Sequence, residues 1–352
     1  MKLLKRMLLL LVSAGLLVAC TETEETPENP DVEEDVLITD NEPLKIGFAM
    51  DTLKEERWLK DKALFEAAIE SHGLEVEIAA ANGDDALQIA QAEEMIQNGI
   101  DLLVIVPHNA EATAAIVHKA HGAGIKVIAY DRLVKNAEID LYVSFDNEKV
   151  GELQAKAMMK LVPKGNYVFI GGAPTDNNAH LLKKGVFSVL QPAIDRGDIK
   201  IIYDEWTEDW NPENAFAHMA EALEINDNQI DAVISANDAT AGGAIAALEA
   251  QGLAGVIPVA GQDAELAAVR RIVDGTQMMT VYKPIQDLSE QVAALAVYLA
   301  QDKEFNPTVS INNGKSEVPA VLLEPIAVDN DNLRDTIIAD GFHSEEDVYG
   351  AE

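Results

Sequence analysis

Polar and aromatic side chains recur directly after the predicted strands of this 352-residue chain. Because the carboxyl ends of parallel strands converge at one edge of an open sheet, residues in these positions are candidates for a single site. The group combines carboxylates, amides, guanidinium groups, an ammonium group and indole rings, without histidine or thiol. Its members are Asp51, Arg57, Trp58, Asp131, Arg132, Asp176, Asn177, Asn178, Trp206, Trp210, Asn237, Asp238, Gln262, Asp263 and Lys283.

These side-chain types suit a neutral polyol. A hydroxyl group both donates and accepts, so carboxylates can take its proton while arginine and lysine donate to its oxygen. The C–H faces of a pyranose are apolar and can pack flat on indole rings. Taken singly, each residue is better explained as a helix cap or a surface ion pair, and Asp238 and Asp263 in particular could cap helices. The recurrence at nearly every strand end favours a binding site.

Other kinds of site find little support in the sequence. His118 and His121 lie one helical turn apart with no further histidine or cysteine nearby, so no metal site is predicted. The segment 122–124, Gly-Ala-Gly, lacks the third glycine of a dinucleotide-binding loop and precedes a strand instead of a helix. A Gly-x-Ser-x-Gly nucleophile elbow does not occur. We therefore predict neither catalytic residues nor a cofactor.

From Leu44 onward, short apolar runs alternate with amphipathic stretches. Continuous apolar strands separated by single helices predict an α/β fold with parallel sheets covered on both faces. The strand candidates are Lys45–Met50, Val76–Ala80, Leu102–Val106, Lys126–Tyr130, Tyr142–Phe145, Tyr167–Ile170, Lys200–Tyr203, Ala232–Ser235, Val256–Ala260 and Met278–Tyr282. The series divides near Asp146 and Asn147, which predicts two doubly wound lobes. Patterning alone does not assign the last strand–helix unit or the tail to either lobe.

The N-terminus carries the only cysteine, Cys20, at the end of Leu17-Val18-Ala19-Cys20. A basic start and the apolar run Met7–Ala19 precede it, and this run is too short to span a bilayer but suits an export signal. A small residue before a lone cysteine resembles the bacterial lipoprotein signal, in which the cysteine is acylated. The alternative is an ordinary secretory signal with an incidental cysteine. We predict a signal peptide over residues 1–19, lipidation of Cys20, and an extracytoplasmic, membrane-anchored protein in the periplasm or at the cell surface.

The acidic character of the chain limits the partners that it can bind. Residues 21–43 contain ten acids and no basic residue, so we predict that residues 20–43 form an acidic disordered tether. The formal net charge of the whole chain is −35, which repels nucleic acid and anionic membrane surfaces. We therefore expect a monomer that binds no nucleic acid and meets the membrane through its N-terminal lipid only.

Several longer motifs surround the candidate residues: Glu56-Arg57-Trp58, Ala129-Tyr130-Asp131-Arg132, residues 144–154, Asp176-Asn177-Asn178-Ala179, residues 235–243, Gly261-Gln262-Asp263-Ala264 and Tyr282-Lys283-Pro284. Through them the chain resembles the periplasmic D-xylose-binding proteins of bacterial ABC transporters, over roughly residues 44–342. The general sugar-binding family shares some of these motifs, whereas Glu-Arg-Trp and Asp-Asn-Asn-Ala point to the xylose branch.

The resemblance implies a type I periplasmic binding protein fold, with two lobes, a three-segment hinge and a sugar buried between the lobes. It assigns residues 44–146 and 279–309 to the first lobe, and residues 147–278 and 310–345 to the second. The implied sugar contacts are Arg57, Arg132, Asp176, Asn178, Asn237, Asp263 and Lys283, with Trp58 and Trp210 as stacking faces.

The implied function is a receptor that captures D-xylose or a similar monosaccharide by hinge closure and delivers it to an ABC transporter permease. One alternative is a sensor, in which the closed form docks on a chemoreceptor or a histidine kinase. Another is a sugar-active enzyme, because paired carboxylates such as Asp176 and Asp263 could serve glycoside hydrolysis. Against an enzyme, the residue set alternates donors and acceptors as if to satisfy every sugar hydroxyl.

Overall fold

The computed structural model describes residues 43–303, 307 and 309–350. The predicted signal peptide, Cys20 and all but the last residue of the predicted tether lie outside this range. The strands are β1 (Lys45–Met50), β2 (Glu75–Ala80), β3 (Leu102–Ile105), β4 (Lys126–Tyr130), β5 (Leu141–Phe145), β6 (Gly165–Ile170), β7 (Ile199–Glu205), β8 (Ala232–Ser235), β9 (Val259–Ala260), β10 (Thr280–Tyr282), β11 (Val309–Asn312), β12 (Glu317–Leu323) and β13 (Ile326–Val328).

The α-helices lie between these strands, apart from one at the C-terminus. They are α1 (Glu56–Ser71), α2 (Asp85–Gln97), α3 (Ala114–Gly122), α4 (Asn147–Leu161), α5 (Asn177–Asp195), α6 (Pro212–Ile225), α7 (Asp238–Glu249), α8 (Leu266–Asp274), α9 (Ile285–Ala300) and α10 (Glu345–Tyr349). A short 3-10 helix covers Glu208–Trp210, and a π-helical turn covers Arg334–Ile338.

The first lobe is built on a seven-stranded sheet in the order β11-β12-β5-β4-β3-β1-β2. All neighbouring strands run parallel except β11 and β12. Alternate residues of each strand face opposite sides, so Ile46 and Phe48 pack with α1 and α9 while Ala49 and Leu103 pack with α2 and α3. Both faces are therefore buried, which explains the continuous apolar strands of the sequence.

The second lobe has a parallel four-stranded sheet in the order β7-β6-β8-β9, covered by α4 and α5 on one face and by α6 and α7 on the other. Strand β10 continues this lobe, because Met279 bridges to Ala260 and β10 pairs antiparallel with β13. A separate apolar cluster joins α8 to the C-terminal turn through Val269, Ile272 and Ile337.

The chain passes between the lobes three times: between β5 and α4, between β10 and α9, and between β12 and β13. The first lobe therefore comprises residues 43–145, 285–303, 307 and 309–323. The second comprises residues 147–282 and 326–350. This division differs from the predicted one, which ended the first lobe at residue 309 and began its second segment at residue 279. The physical reason is that β12 pairs with β5, while β10 extends from β9.

Within the described ranges, none of the helices has the length and apolar character that crossing a bilayer requires.

Candidate functional site

The first turn of α1 carries Arg57 to the carboxyl edge of the first sheet, because this helix begins shortly after β1. The Arg57 side chain is 5% exposed. Its Nη2 lies 2.5 Å from Asp131 Oδ2, its Nε lies 3.0 Å from Asp61 Oδ2, and its Nη1 lies 3.4 Å from Asp263 Oδ1. Burial disfavours the charge, but Asp131 and Asp61 hold the pKa of Arg57 well above its usual value. Since Asp263 belongs to the second lobe, this guanidinium group connects the lobes.

The orientation of Arg57 is set from the core. Asp61 is fully buried one turn further along α1, and its Oδ1 accepts a hydrogen bond of 2.5 Å from the Tyr130 hydroxyl. Tyr130 in turn packs against Phe48 and Phe65. The guanidinium group therefore points toward the lobe interface without help from a ligand.

Asp131 makes a sharp turn at the end of β4, with a left-handed φ of +60°. Its carbonyl oxygen accepts from Ser144 Oγ at 2.6 Å, from Asn178 Nδ2 at 3.0 Å and from the Tyr142 hydroxyl at 3.1 Å. Three donors on one carbonyl stabilise a backbone conformation that is rare outside glycine. Asn178 lies in the second lobe, so this turn is also held across the interface.

The turn directs the next residue, Arg132, into the same region. Its Nη1 lies 2.7 Å from Asp51 Oδ2 in the first lobe, and its Nε lies 2.8 Å from Asp176 Oδ2 in the second. All three side chains are less than 10% exposed. Arg132 is thus a second buried cation that bridges carboxylates of both lobes.

Two residues of the second lobe serve as helix caps and also line the site. Asp176 caps α5 and accepts from Asn178 N at 2.9 Å, and Asn237 caps α7 and accepts from Thr240 N at 2.9 Å. The capping interpretation is therefore correct for these two. It is wrong for Asp238 and Asp263, because Asn237 is the N-cap of α7 and Glu265 is the N-cap of α8.

Asp263 and Lys283 complete the set of charged side chains around the site. Lys283 follows β10 in a segment that crosses between the lobes and is 3% exposed, with its Nζ 3.4 Å from Asp263 Oδ1. Asp263 therefore faces two cations, Lys283 and Arg57, at the same distance. A hydroxyl group placed between them would meet donors and an acceptor together.

Two indole rings complete the walls. The guanidinium carbons of Arg57 and Arg132 lie 4.5 Å and 5.0 Å from the ring centroid of Trp58. Trp210 packs its ring against Gly172, where any Cβ would overlap the indole. Both rings are held by their neighbours, so they present fixed apolar surfaces to the site.

All nine predicted binding residues line one cavity between the lobes. They are Arg57, Trp58, Arg132, Asp176, Asn178, Trp210, Asn237, Asp263 and Lys283. Among the described residues, three buried lining atoms have no hydrogen-bond partner: Glu55 Oε2, Trp210 Nε1 and Gln262 Oε1. Since buried polar groups are normally paired, these atoms point to a ligand that both donates and accepts.

Three further residues line the cavity. Asp131 and Gln262 belong to the predicted strand-end group but not to the nine predicted sugar contacts, whereas Glu55 was missed. The strand-end position was the signal for Asp131 and Gln262. Glu55 precedes α1 and had no comparable signal; burial raises the pKa of its carboxyl group. The other strand-end residues lie outside the cavity lining: Asp51, Asn177, Trp206 and Asp238.

The site lacks the features of a metal centre. In the part of the chain that the structure describes, no three His, Cys, Asp or Glu side chains are placed to hold a metal ion. The carboxylates are instead paired with Arg57, Arg132 and Lys283. The lining thus alternates fixed donors and acceptors around apolar rings, a combination that suits a polyhydroxyl ring compound.

Comparison with known proteins agrees with this class. Residues 46–304 match the periplasmic binding protein domain. The D-xylose-binding periplasmic protein of Haemophilus influenzae is 52% identical over 306 residues, covering 87% of this chain and 92% of the relative. The protein of the same name from Escherichia coli is 51% identical over 305 residues, with the same coverage.

Solved structures share the fold. An ABC transporter solute binding protein from Clostridium phytofermentans with bound β-D-glucose has a TM-score of 0.80 and 31% identity, covering 86% of this chain and 99% of the neighbour. One from Chloroflexus aurantiacus in complex with D-glucose has a TM-score of 0.80 and 33% identity, covering 87% and 98%.

The chain belongs to the periplasmic binding protein family of sugar-binding transport components. Within that family it groups with the D-xylose-binding periplasmic proteins, so the predicted resemblance and the predicted type I α/β fold are confirmed.

Proposed function

We propose that this protein captures D-xylose between its lobes and delivers it to a membrane permease. The observation that carries the proposal is the cavity itself, where cations, carboxylates, amides and two indoles from both lobes surround one space. The identity of about one half to D-xylose-binding relatives supports the choice of sugar.

Binding would act by hinge closure. Arg57, Trp58 and Arg132 belong to the first lobe, and Asp176 and Asp263 belong to the second. A sugar can contact both sets only when the lobes are together, so it stabilises the closed form and shifts the population toward it. Interlobe pairs such as Arg132 with Asp176 add to the same state.

Delivery to a permease is supported by neighbours that are ABC transporter solute binding proteins. A sensor would use the same closed form and differ only in its docking partner. The similar proteins are binding proteins, which fits a protein that is not an enzyme.

The choice of sugar is tested by calorimetry of the mature protein with xylose, glucose, ribose and arabinose. We expect xylose to bind tightest, and glucose to bind at least about 10-fold more weakly, because one extra group in a fitted pocket typically changes affinity by this much. The rigid, charged walls leave little room for the exocyclic hydroxymethyl group of a hexose. Equal or tighter binding of ribose would place this protein in another branch of the family.

We also propose that a lipid on Cys20 anchors the protein to the membrane, with the acidic segment 20–43 as a tether. The proposal rests on Leu17-Val18-Ala19-Cys20 at the end of the apolar run. Cys20→Ser is expected to move the protein from the membrane fraction to the soluble fraction, because acyl chains supply the membrane affinity.

The control for this fractionation is Thr21→Ser, which leaves the cysteine in place and should stay with the membrane. Mass spectrometry of the N-terminal peptide should show acyl chains in the control only. Unchanged membrane association of Cys20→Ser would contradict the anchor.

A further inference from the structure

The loop Gly261–Glu265 presents Asp263 to the cavity in an unusual backbone conformation. Asp263 has a φ of +91° and Ala264 a φ of +53°, so two consecutive non-glycine residues lie in the left-handed region. Such conformations persist only where the surrounding structure holds them in place. The position of the Asp263 carboxylate therefore depends on whatever holds this loop.

The loop is wrapped around the side chain of Asp238, which is fully buried. Its Oδ2 accepts from Glu265 N at 3.1 Å and from Thr280 Oγ1 at 2.8 Å. Thr280 Oγ1 in turn accepts from Ala264 N at 3.2 Å. Both residues that follow Asp263 are thus held by this carboxylate, one directly and one through Thr280.

The residues before Asp263 also depend on Asp238. Its backbone N–H donates to Gln262 O at 2.9 Å. A Cβ on Gly261 would overlap Asp238 Oδ1, so the loop approaches the carboxylate as closely as glycine allows. The second oxygen is occupied as well, because Asp238 Oδ1 accepts from Gln277 Nε2 at 2.7 Å.

Asp238 itself does not line the sugar cavity and does not cap α7. We propose that Asp238 is a positioning residue for sugar affinity: it fixes loop 261–265 so that Asp263 and Gln262 face the ligand. The inference rests on the proposed function, since it assigns a role to a residue outside the sugar contacts.

Asp238→Asn tests this role with little change of shape. The carboxylate accepts from three donors, but an asparagine amide turns one of its two ends into a donor. Facing Glu265 N and Thr280, this end would place a donor against the Glu265 N–H and would require the Thr280 hydroxyl to turn and accept. Facing Gln277, it would require Gln277 to turn its amide, and Gln277 Oε1 already accepts from Arg271 Nε at 3.0 Å.

The experiment is a double-mutant cycle with D-xylose, using calorimetry on the wild type, Asp238→Asn, Asp263→Asn and the double variant. We expect Asp238→Asn to weaken binding by about 10-fold in the wild-type background and by less than about 3-fold where Asp263 is already replaced. Such non-additivity is the signature of two residues that act through each other. Equal effects in both backgrounds would overturn the proposal.

Asp231→Asn is the control for the loss of a carboxylate that accepts a backbone N–H at an exposed position. Asp231 also accepts a backbone N–H, from Asn166 at 2.7 Å, but it lies at the opposite end of β8 from the site. Its replacement should leave xylose affinity within about 2-fold. Urea unfolding without sugar separates the two roles, since a merely structural role lowers stability and leaves the affinity of the folded protein unchanged.

If Asp238→Asn does not fold, Thr280→Val replaces it in the cycle, because it removes only the hydroxyl relay to Ala264 N. The same coupling to Asp263 is expected, and additivity would again overturn the proposal. Absence of xylose binding by the wild type would instead contradict the proposed function. The cycle is then run with whichever of glucose, ribose or arabinose binds, with the same criterion.

Discussion

Replacing Asp263 by asparagine is expected to weaken D-xylose binding by roughly 10- to 1000-fold. Hydrogen bonds to charged groups contribute about 1.5–3 kcal/mol each, and we expect this carboxylate to accept two from the sugar. Asparagine keeps the shape but removes the charge and half of the acceptor capacity. It also leaves Arg57 and Lys283 facing a neutral group within 3.4 Å. Calorimetry with xylose measures the loss.

The melting temperature without sugar should barely move in this variant. Asparagine tolerates the left-handed φ of this position, and Arg57 keeps its shorter contacts with Asp61 and Asp131. Without sugar the proposed hinge motion opens the lobes, so water solvates Lys283 in place of the lost carboxylate. Asp227→Asn is a matched control, because Asp227 also has a positive φ, +49°, but lies exposed on the second lobe away from the cavity. Xylose affinity of Asp263→Asn within a factor of about two of the wild type would refute the role of Asp263.

Gly185→Ala is expected to destabilise the second lobe by about 3 kcal/mol, at the upper end of the usual cost of overpacking. Gly185 lies where α5 crosses α4, and a Cβ there would overlap the carbonyl oxygen of Glu148. Gly151 approaches α5 in the same way, against the carbonyl oxygen of Leu182. Because backbone atoms meet, the helices must separate to admit even a methyl group. A thermal melt should show a fall of roughly 5 °C, because the unfolding entropy is about 2.1 cal/mol/K per residue.

The direction of the change in melting temperature distinguishes a packing effect from an effect of helix propensity. Alanine stabilises an unobstructed helix by up to about 1 kcal/mol relative to glycine. At Gly122, the last residue of α3, an added Cβ would meet no heavy atom within 4 Å, so Gly122→Ala should be neutral or stabilising. A rise in melting temperature for Gly185→Ala, as for Gly122→Ala, would contradict the close helix contact.

Much of the fold could be predicted because its signals are local. Alternating apolar strands and amphipathic helices follow from side-chain burial within a few residues, and β1 and β4 coincide with their predicted bounds. Strand β9 is shorter than predicted, since only Val259 and Ala260 pair with β8. Strands β11, β12 and β13 were not among the predicted strands. The division of the C-terminal region differed because the sequence of the tail does not show that β12 pairs with β5.

For the candidate site, too, the sequence predicts which residues lie there but not which of them pair. Parallel strands bring their carboxyl ends to one edge of a sheet, so the residue types at those ends predict a polar site with indole walls. The nine predicted residues do lie around one cavity. Their role in binding sugar stays a prediction. Which charges pair is a different matter, since Arg57 with Asp263 and Arg132 with Asp176 join residues of separate lobes. Nor does the sequence reveal that Asp238 lies inside the loop that carries Asp263. Contacts between distant segments depend on how the packed helices and strands approach one another. The spacing of apolar residues along the chain does not determine the distance between two such elements.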